Sequence, residues 1–206
     1  MELSRISPGA YASNCYILSD NGEAVVIDPS APAISIMRAL SKGGLTLKAI
    51  LLTHGHFDHM LGLSQLRAAN PDVPVMIHAN DAELLIDGEK NASAPLLGKP
   101  AEFAAADKLF IAGDTLRIGR KTITVIHTPG HTRGSVCYRV DNLLFTGDTI
   151  MENGYGRYDL YSGDGEKLRT TLLRLKVFSE KENCVIYPGH GAAAKLSDAI
   201  RNIYNH

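Results

Sequence analysis

Apolar residues recur along this chain with two alternating spacings, one that suits strands and one that suits helices. The apolar runs 15–18 (CYIL) and 24–27 (AVVI) flank SDNGE, whose Asn21-Gly22 is a two-residue hairpin signal, so the chain is predicted to open as antiparallel β. Residues 33–40 predict a helix stopped by Gly43-Gly44, and 47–52 (LKAILL) predict a buried strand. From Asp58 onward MLGLSQLRAAN has helical spacing, with Leu61, Leu63 and Leu66 apolar and Asn70-Pro71 as its terminator. Residues 73–77 read as a strand and 80–86 as a helix with Asn80 at its N-cap. The stretch 87–107 has weak periodicity and many small or turn-forming residues, which predicts a surface loop.

A second β-rich series follows at 115–118, 122–126, 135–140 and 142–145, with turn signals at Gly119 and Asp141-Asn142. Residues 166–178 place Leu168, Leu172, Leu175 and Phe178 on one face of an amphipathic helix. A last short strand at 184–187 and a closing helix at 195–204 complete the pattern. Strands with helices outside them, in two successive halves, predict an α+β fold in which two sheets pack face to face under helices.

Composition changes this picture little and narrows function more. A chain of 206 residues can bury a real core, and a single domain over 1–206 is expected. Lys plus Arg number 21 against 22 for Asp plus Glu, so no overall field favours nucleic acid or a membrane surface. Cys15, Cys137 and Cys184 are odd in number, widely spaced and without a CxxC pair, which argues against a disulfide framework and fits a reducing compartment. The opening MELSRISPGAYASNCYILSD has no basic segment followed by an apolar one, and no apolar run reaches the roughly 18 residues of a membrane span. A cytoplasmic location is expected.

The chemistry concentrates behind the predicted strand 47–52, where THGHFDH brings His54, His56, Asp58 and His59 together. His131 in HTPGHTRGS, Asp148 in LFTGDT and His190 in IYPGHG each follow an apolar strand and sit beside glycine. Strand ends with tight turns let a rigid β scaffold aim several side chains at one point. Imidazole nitrogen and carboxylate oxygen suit zinc, iron or manganese. His54 and His56 lie two apart, so in an extended segment they share a side and can share an ion. Asp58 and His59 are adjacent and point elsewhere, which favours a second ion nearby. A lone His after a strand is more often a hydrogen-bonded loop residue, and His78 and His127, which do not fit the pattern, are read that way.

HxHxDH in THGHFDH, followed in order by the PGH of HTPGHT, the GD of FTGDT and the PGH of YPGHG, resembles the metallo-β-lactamase superfamily over residues 53–190. The resemblance implies an αββα sandwich of two mixed sheets flanked by helices. It assigns His54, His56 and His131 to one metal site, Asp58, His59 and His190 to a second, and Asp148 to the bridge between them, with two divalent ions, zinc first and iron or manganese as alternatives.

Asp148 in place of Cys, together with His59, is unlike the common zinc β-lactamases and sets penicillin hydrolysis aside. His56, where flavodiiron proteins carry Glu, argues against oxygen reduction, and the short segment between Asp148 and His190 leaves no room for the inserted domain of the related nucleases. GDTIMENGYGRYDLYSGD resembles the glyoxalase II branch, the hydroxyacylglutathione hydrolases of short bacterial type, through Gly156, Arg157, Asp159, Gly163 and Asp164. This implies hydrolysis of a thioester such as S-lactoylglutathione by a hydroxide held between the metals, with Asp58 orienting it. Two divalent ions against Asp58, Asp148 and one hydroxide leave excess positive charge, so a small anionic thioester is the expected partner, and Arg157 is expected to hold its carboxylate. The alternatives are a mononuclear iron persulfide dioxygenase using His54, His131 and Asp148, and a hydrolase of another ester or lactone.

Overall fold

In the computed structural model, which describes residues 1–6, 11 and 13–204, strands collect into two six-stranded mixed sheets. The first runs β1 (Glu2–Ile6), β2 (Cys15–Asp20), β3 (Glu23–Ile27), β4 (Thr46–Leu51), β5 (Val75–His78) and β6 (Lys108–Phe110), in that order across the sheet. Asn21 and Gly22 turn the β2–β3 hairpin with φ of 51° and 79°, the left-handed values a tight primed turn requires. From β3 to β6 the pairing is parallel, so the connections are helices: α1 (Ala33–Lys42), α2 (Leu63–Ala69), then α3 (Ala82–Ile86) and α4 (Ser93–Leu97). The second sheet is ordered β12 (Ala194–Lys195), β11 (Val185–Pro188), β10 (Leu143–Gly147), β9 (Val136–Val140), β8 (Lys121–His127) and β7 (Thr115–Ile118). Its one parallel pair, β10 with β11, is crossed by α5 (Gly165–Lys181), and α6 (Leu196–Tyr204) closes the chain.

Strand alternation sorts the side chains into three buried layers. Leu18, Val25, Ile27 and Leu51 of the first sheet meet Ile123, Val125, Tyr138 and Phe145 of the second between the sheets. The opposite face of the first sheet, Ile17, Val26 and Ile50, is covered by Ile36 and Leu40 of α1 and Leu63 and Leu66 of α2. Cys137, Leu144 and Ile186 of the second sheet lie under Leu168, Leu172 and Leu175 of α5 and Ala199 and Ile200 of α6. This is the expected αββα sandwich. It explains why 49–52 reads as an unbroken apolar run, since a parallel strand inside a covered sheet is buried on both faces. All three cysteines are free and buried. Among the described residues, no helix is long and apolar enough to cross a membrane.

The departures from expectation have local causes. β1 and β6 escape the pattern because both are sheet edges whose side chains are largely exposed, so neither shows a clear apolar period. The helix expected from Asp58 is a 3₁₀ turn, Phe57–His59, and α2 begins only at Leu63. Gly62 fixes that break: its N–H donates to the Pro29 carbonyl at 2.8 Å, and a Cβ there would lie 2.2 Å from the Ala31 oxygen. Asn80 is not an N-cap, because Ala79–Asp81 forms its own 3₁₀ turn and the Asn80 N–H donates to His78 Nδ1 at 3.2 Å. The loop 87–107 contains α4.

Gly130 seats the loop of His131 on α5. Its φ is 139°, and an added Cβ would lie 2.3 Å from the backbone of Leu168. Gly130→Ala is expected to lower the unfolding free energy by about 1–3 kcal/mol through overpacking. A urea unfolding midpoint unchanged from wild type would show that the loop shifts without cost.

Candidate metal centre

The polar residues of interest all leave the C-terminal ends of strands that run the same way. Asp28 follows β3, the His54–His59 segment follows β4, His131 follows β8, Asp148 follows β10 and His190 follows β11. Every candidate ligand named from the sequence therefore arrives at one end of the sandwich. One ligand atom each from His54, His56 and His131 lie within 4.8 Å of one another, and so do those of Asp58, His59 and His190. A third grouping, His54, His59 and Asp148, overlaps both. Asp148 faces each set, with His131 Nε2 at 3.7 Å from Oδ2, His190 Nε2 at 3.5 Å from Oδ2 and His59 Nε2 at 3.5 Å from Oδ1.

The atoms that converge are without partners. Nε2 of His54, His56, His59 and His131 and Oδ1 of Asp148 are buried and accept or donate no hydrogen bond. Buried polar atoms are normally satisfied, so five in one place mark a site shaped for an ion. On three of these four rings the opposite nitrogen is held. His59 Nδ1 pairs with Asp28 Oδ2 at 3.0 Å, and His131 Nδ1 donates to the Arg157 carbonyl at 2.6 Å. The Thr53 hydroxyl donates to Asp28 Oδ2 at 2.6 Å, so its oxygen is left to accept from His54 Nδ1 at 3.1 Å. A proton is thereby held on each of these Nδ1 atoms, which turns Nε2 to the centre, the edge that metal ligation uses. The donor set of neutral imidazole and carboxylate fits a divalent ion.

The charges are mutually compensating. Burial alone would raise the Asp58 and Asp148 carboxyls, but His59 and His190 beside them hold both well below the usual carboxylate range. Burial would lower His59, yet the facing Asp58 and Asp148 push it well above the ordinary imidazole value, and His190 is raised in the same way. His54 and His56 are pushed down by burial and by neighbouring imidazoles, His56 to about 3. His54 and His56 therefore present free lone pairs at neutral pH.

Three supporting residues were not legible as such in the sequence. Asp28 accepts from the Thr53 N–H at 2.8 Å as well as from His59, and its apolar approach, VVIDPS, parallels LFTGDT. That likeness of context is the signal that could have found it. Ser13 Oγ donates to Asp58 Oδ2 at 2.7 Å. Asp81, hidden in what reads as a helix start, is fully buried and clasps two ligand loops: it accepts from the Gly55 N–H at 3.1 Å, the Gly134 N–H at 2.6 Å and the Thr132 hydroxyl at 2.6 Å. Asp81→Ala is expected to lower stability by about 3 kcal/mol or more, because each buried donor left unpaired costs about 1–3 kcal/mol. Thermal unfolding with a melting temperature unchanged from wild type would show that water replaces the carboxylate.

The centre opens into a pocket of about 250 Å³ whose walls include Tyr11, Phe57, Leu96, Met151, Tyr155 and Arg157. Arg157 stands at the rim, half exposed, with its guanidinium in a two-point ion pair with Asp159 at 2.7 and 2.8 Å. His78 and His127 stand apart from the centre, stacked on each other with ring centroids 4.3 Å apart.

Comparison with known proteins agrees with this geometry. The chain is 28% identical over 207 residues to a protein of Haemophilus influenzae named hydroxyacylglutathione hydrolase GloC, covering 98% of this chain and 96% of that one. It is 35% identical over 193 residues to a probable metallo-hydrolase of Bacillus subtilis, YqgX, covering 93% and 90%. Among solved structures, the B3 metallo-beta-lactamase BLEG-1 superposes with a TM-score of 0.88 at 34% identity, covering 96% of this chain and 95% of that one. TTHA1623, solved in a di-iron-bound form, superposes with a TM-score of 0.84 at 27% identity, covering 98% and 100%. A protein bearing the β-lactamase name is therefore among the structural neighbours of this chain. The family model of the metallo-beta-lactamase superfamily matches residues 8–190, and the chain belongs to that superfamily of metal-dependent proteins.

Proposed function

We propose that the chain is a metal-dependent hydrolase of a small thioester of the S-lactoylglutathione type. The observation that carries this reading is the pair of ligand sets that Asp148 faces, with the unpaired Nε2 atoms turned inward. His54, His56 and His131 would hold one divalent ion, Asp58, His59 and His190 a second, and Asp148 both. Zinc suits this donor set, and iron or manganese are compatible with it. Ions bound there supply Lewis acidity and bring the pKa of water from 15.7 toward about 7.

The chain's own groups do the rest. Asp58, kept ionised by His59 and His190 beside it and oriented by the Ser13 hydroxyl, is placed to accept a proton from the attacking water. Arg157 at the rim is placed to meet a substrate carboxylate, exchanging Asp159 for it. A thiolate leaves without a general acid because its conjugate thiol has a low pKa, which suits a thioester to a site whose ionised Asp58 serves as proton acceptor. Similarity to the protein named GloC supports the thioester, and similarity to BLEG-1 supports a β-lactam amide as the competing substrate.

The test is a panel offered to the metal-loaded protein: S-lactoylglutathione, other thioesters, simple lactones, a chromogenic cephalosporin, and glutathione persulfide with oxygen uptake recorded. Thioester turnover lost on chelation and restored by zinc is expected. No turnover of any thioester sinks the reading, and oxygen uptake with the persulfide would put a mononuclear iron dioxygenase held by His54, His131 and Asp148 in its place.

A further inference from the structure

Beside the metal pocket lies a larger groove of about 590 Å³, bounded by the loop bearing Tyr155 and Tyr158, the first turns of α5 and the end of α6. Tyr155 lines both cavities. The aliphatic part of the groove is formed by Leu168 and Leu172 of α5 and Ile203 of α6, and the rings of Tyr155, Tyr158 and Tyr204 complete its lining while staying more than 40% exposed. The Tyr158 ring is set against the start of α5, where a Cβ at Gly165 would meet it at 3.0 Å. Single exposed aromatics are ordinary on a protein surface, but three around one concave aliphatic surface form a binding shape.

The charges in this groove say what it does not take. Asp164 is paired with Lys167 at 3.1 Å and Glu166 with Arg169 at 3.6 Å, so two carboxylates and two cations at the rim leave no net charge to favour a carboxylate or phosphate. Tyrosine rings and leucine side chains favour an uncharged aromatic or aliphatic group.

We propose that this groove is a second substrate subsite, which receives an uncharged aromatic or aliphatic arm of the thioester whose carbonyl sits at the metal centre. The proposal rests on the thioester reading and adds the class of substrate. The continuity through Tyr155 argues for one molecule spanning both cavities, and the volume is in the range that holds a small organic group. Tyr155 is then shared between the reacting end and the arm.

The experiment uses the metal-loaded 206-residue chain and thioesters of one small neutral thiol, N-acetylcysteamine, with acetyl, hexanoyl, phenylbutanoyl and glutaryl acyl groups. From acetyl to phenylbutanoyl, kcat/KM is expected to rise by about tenfold or more, mainly through KM, whereas any gain from the anionic glutaryl arm depends on Arg157 and not on the groove. Tyr204→Ala and Tyr158→Ala, both exposed and outside the metal centre, should erase that gain and leave the acetyl thioester unchanged. A second measurement avoids turnover: calorimetric binding of a non-hydrolysable phenylbutyl thioether to the metal-free protein, expected for wild type and lost in Tyr204→Ala. An equal response to the three uncharged acyl groups, or variants that keep the preference for phenylbutanoyl, overturns the subsite. If no thioester is hydrolysed but the thioether binds in a Tyr204-dependent way, the groove stands and the thioester reading falls.

Discussion

Adding zinc to the metal-free protein is expected to raise its melting temperature by about 8–16 °C for one site filled at a thousandfold excess over Kd. The basis is the set of buried, unpartnered atoms: Nε2 of His54, His56, His59 and His131 and Oδ1 of Asp148. A ligand that binds only the folded chain stabilises it by about 4.1 kcal/mol at that excess. For a domain of this size each kcal/mol moves the melting temperature by about 2–4 °C. Scanning calorimetry with and without zinc reads the shift, and a chelator should reverse it. Asp148→Ala, which removes the carboxylate that faces both sets, should reduce the shift. If zinc, iron and manganese all leave the unfolding curve where it was, the centre is not a metal site, whatever the enzymatic result.

The second large effect is on chemistry. Asp58→Asn is expected to lower kcat toward the thioester by about 10²–10⁴-fold, the usual worth of a positioned proton acceptor. Asparagine keeps the shape of the side chain and can still accept from the Ser13 hydroxyl, so the fold has no reason to change. What is lost is the negative charge beside His59 and His190. Elemental analysis should therefore find less metal in the second set while His54, His56 and His131 keep theirs. A variant that turns over at the wild-type rate with full metal content would take Asp58 out of the mechanism.

These two expectations rest on residues that could be named from the chain alone, whereas the Asp81 effect could not have been foreseen. Asp81 lies within NDAELLI, where local pattern predicts the start of a helix and offers Asn80 as the cap. Its real partners, Gly55 and Gly134, lie on separate ligand loops, one after each of two strands in different sheets. The edge strands β1 and β6 were missed for a related reason. An edge strand is defined by a neighbour on one side only, and its exposed side chains carry no apolar period to read. By contrast, β2, β3 and β4 and the amphipathic α5 were legible because burial on a fixed face writes itself into the spacing of apolar residues.

What the chain alone determined is the chemistry and its local framing: the identities of His54, His56, Asp58, His59, His131, Asp148 and His190, and their places behind apolar strands. Residue type sets ligand chemistry, and strand periodicity sets where strands end, and both are local properties. Only the tertiary structure decided that His131, Asp148 and His190 reach the THGHFDH segment, and that Asp148 faces both ligand sets. It also decided that Arg157 is already paired with Asp159, and that a tyrosine-lined groove adjoins the centre through Tyr155. These depend on which strand ends meet when two sheets stack. That arrangement is set by burying the layer of Leu18, Val25, Tyr138 and Phe145 between them, a contact among residues far apart in the chain.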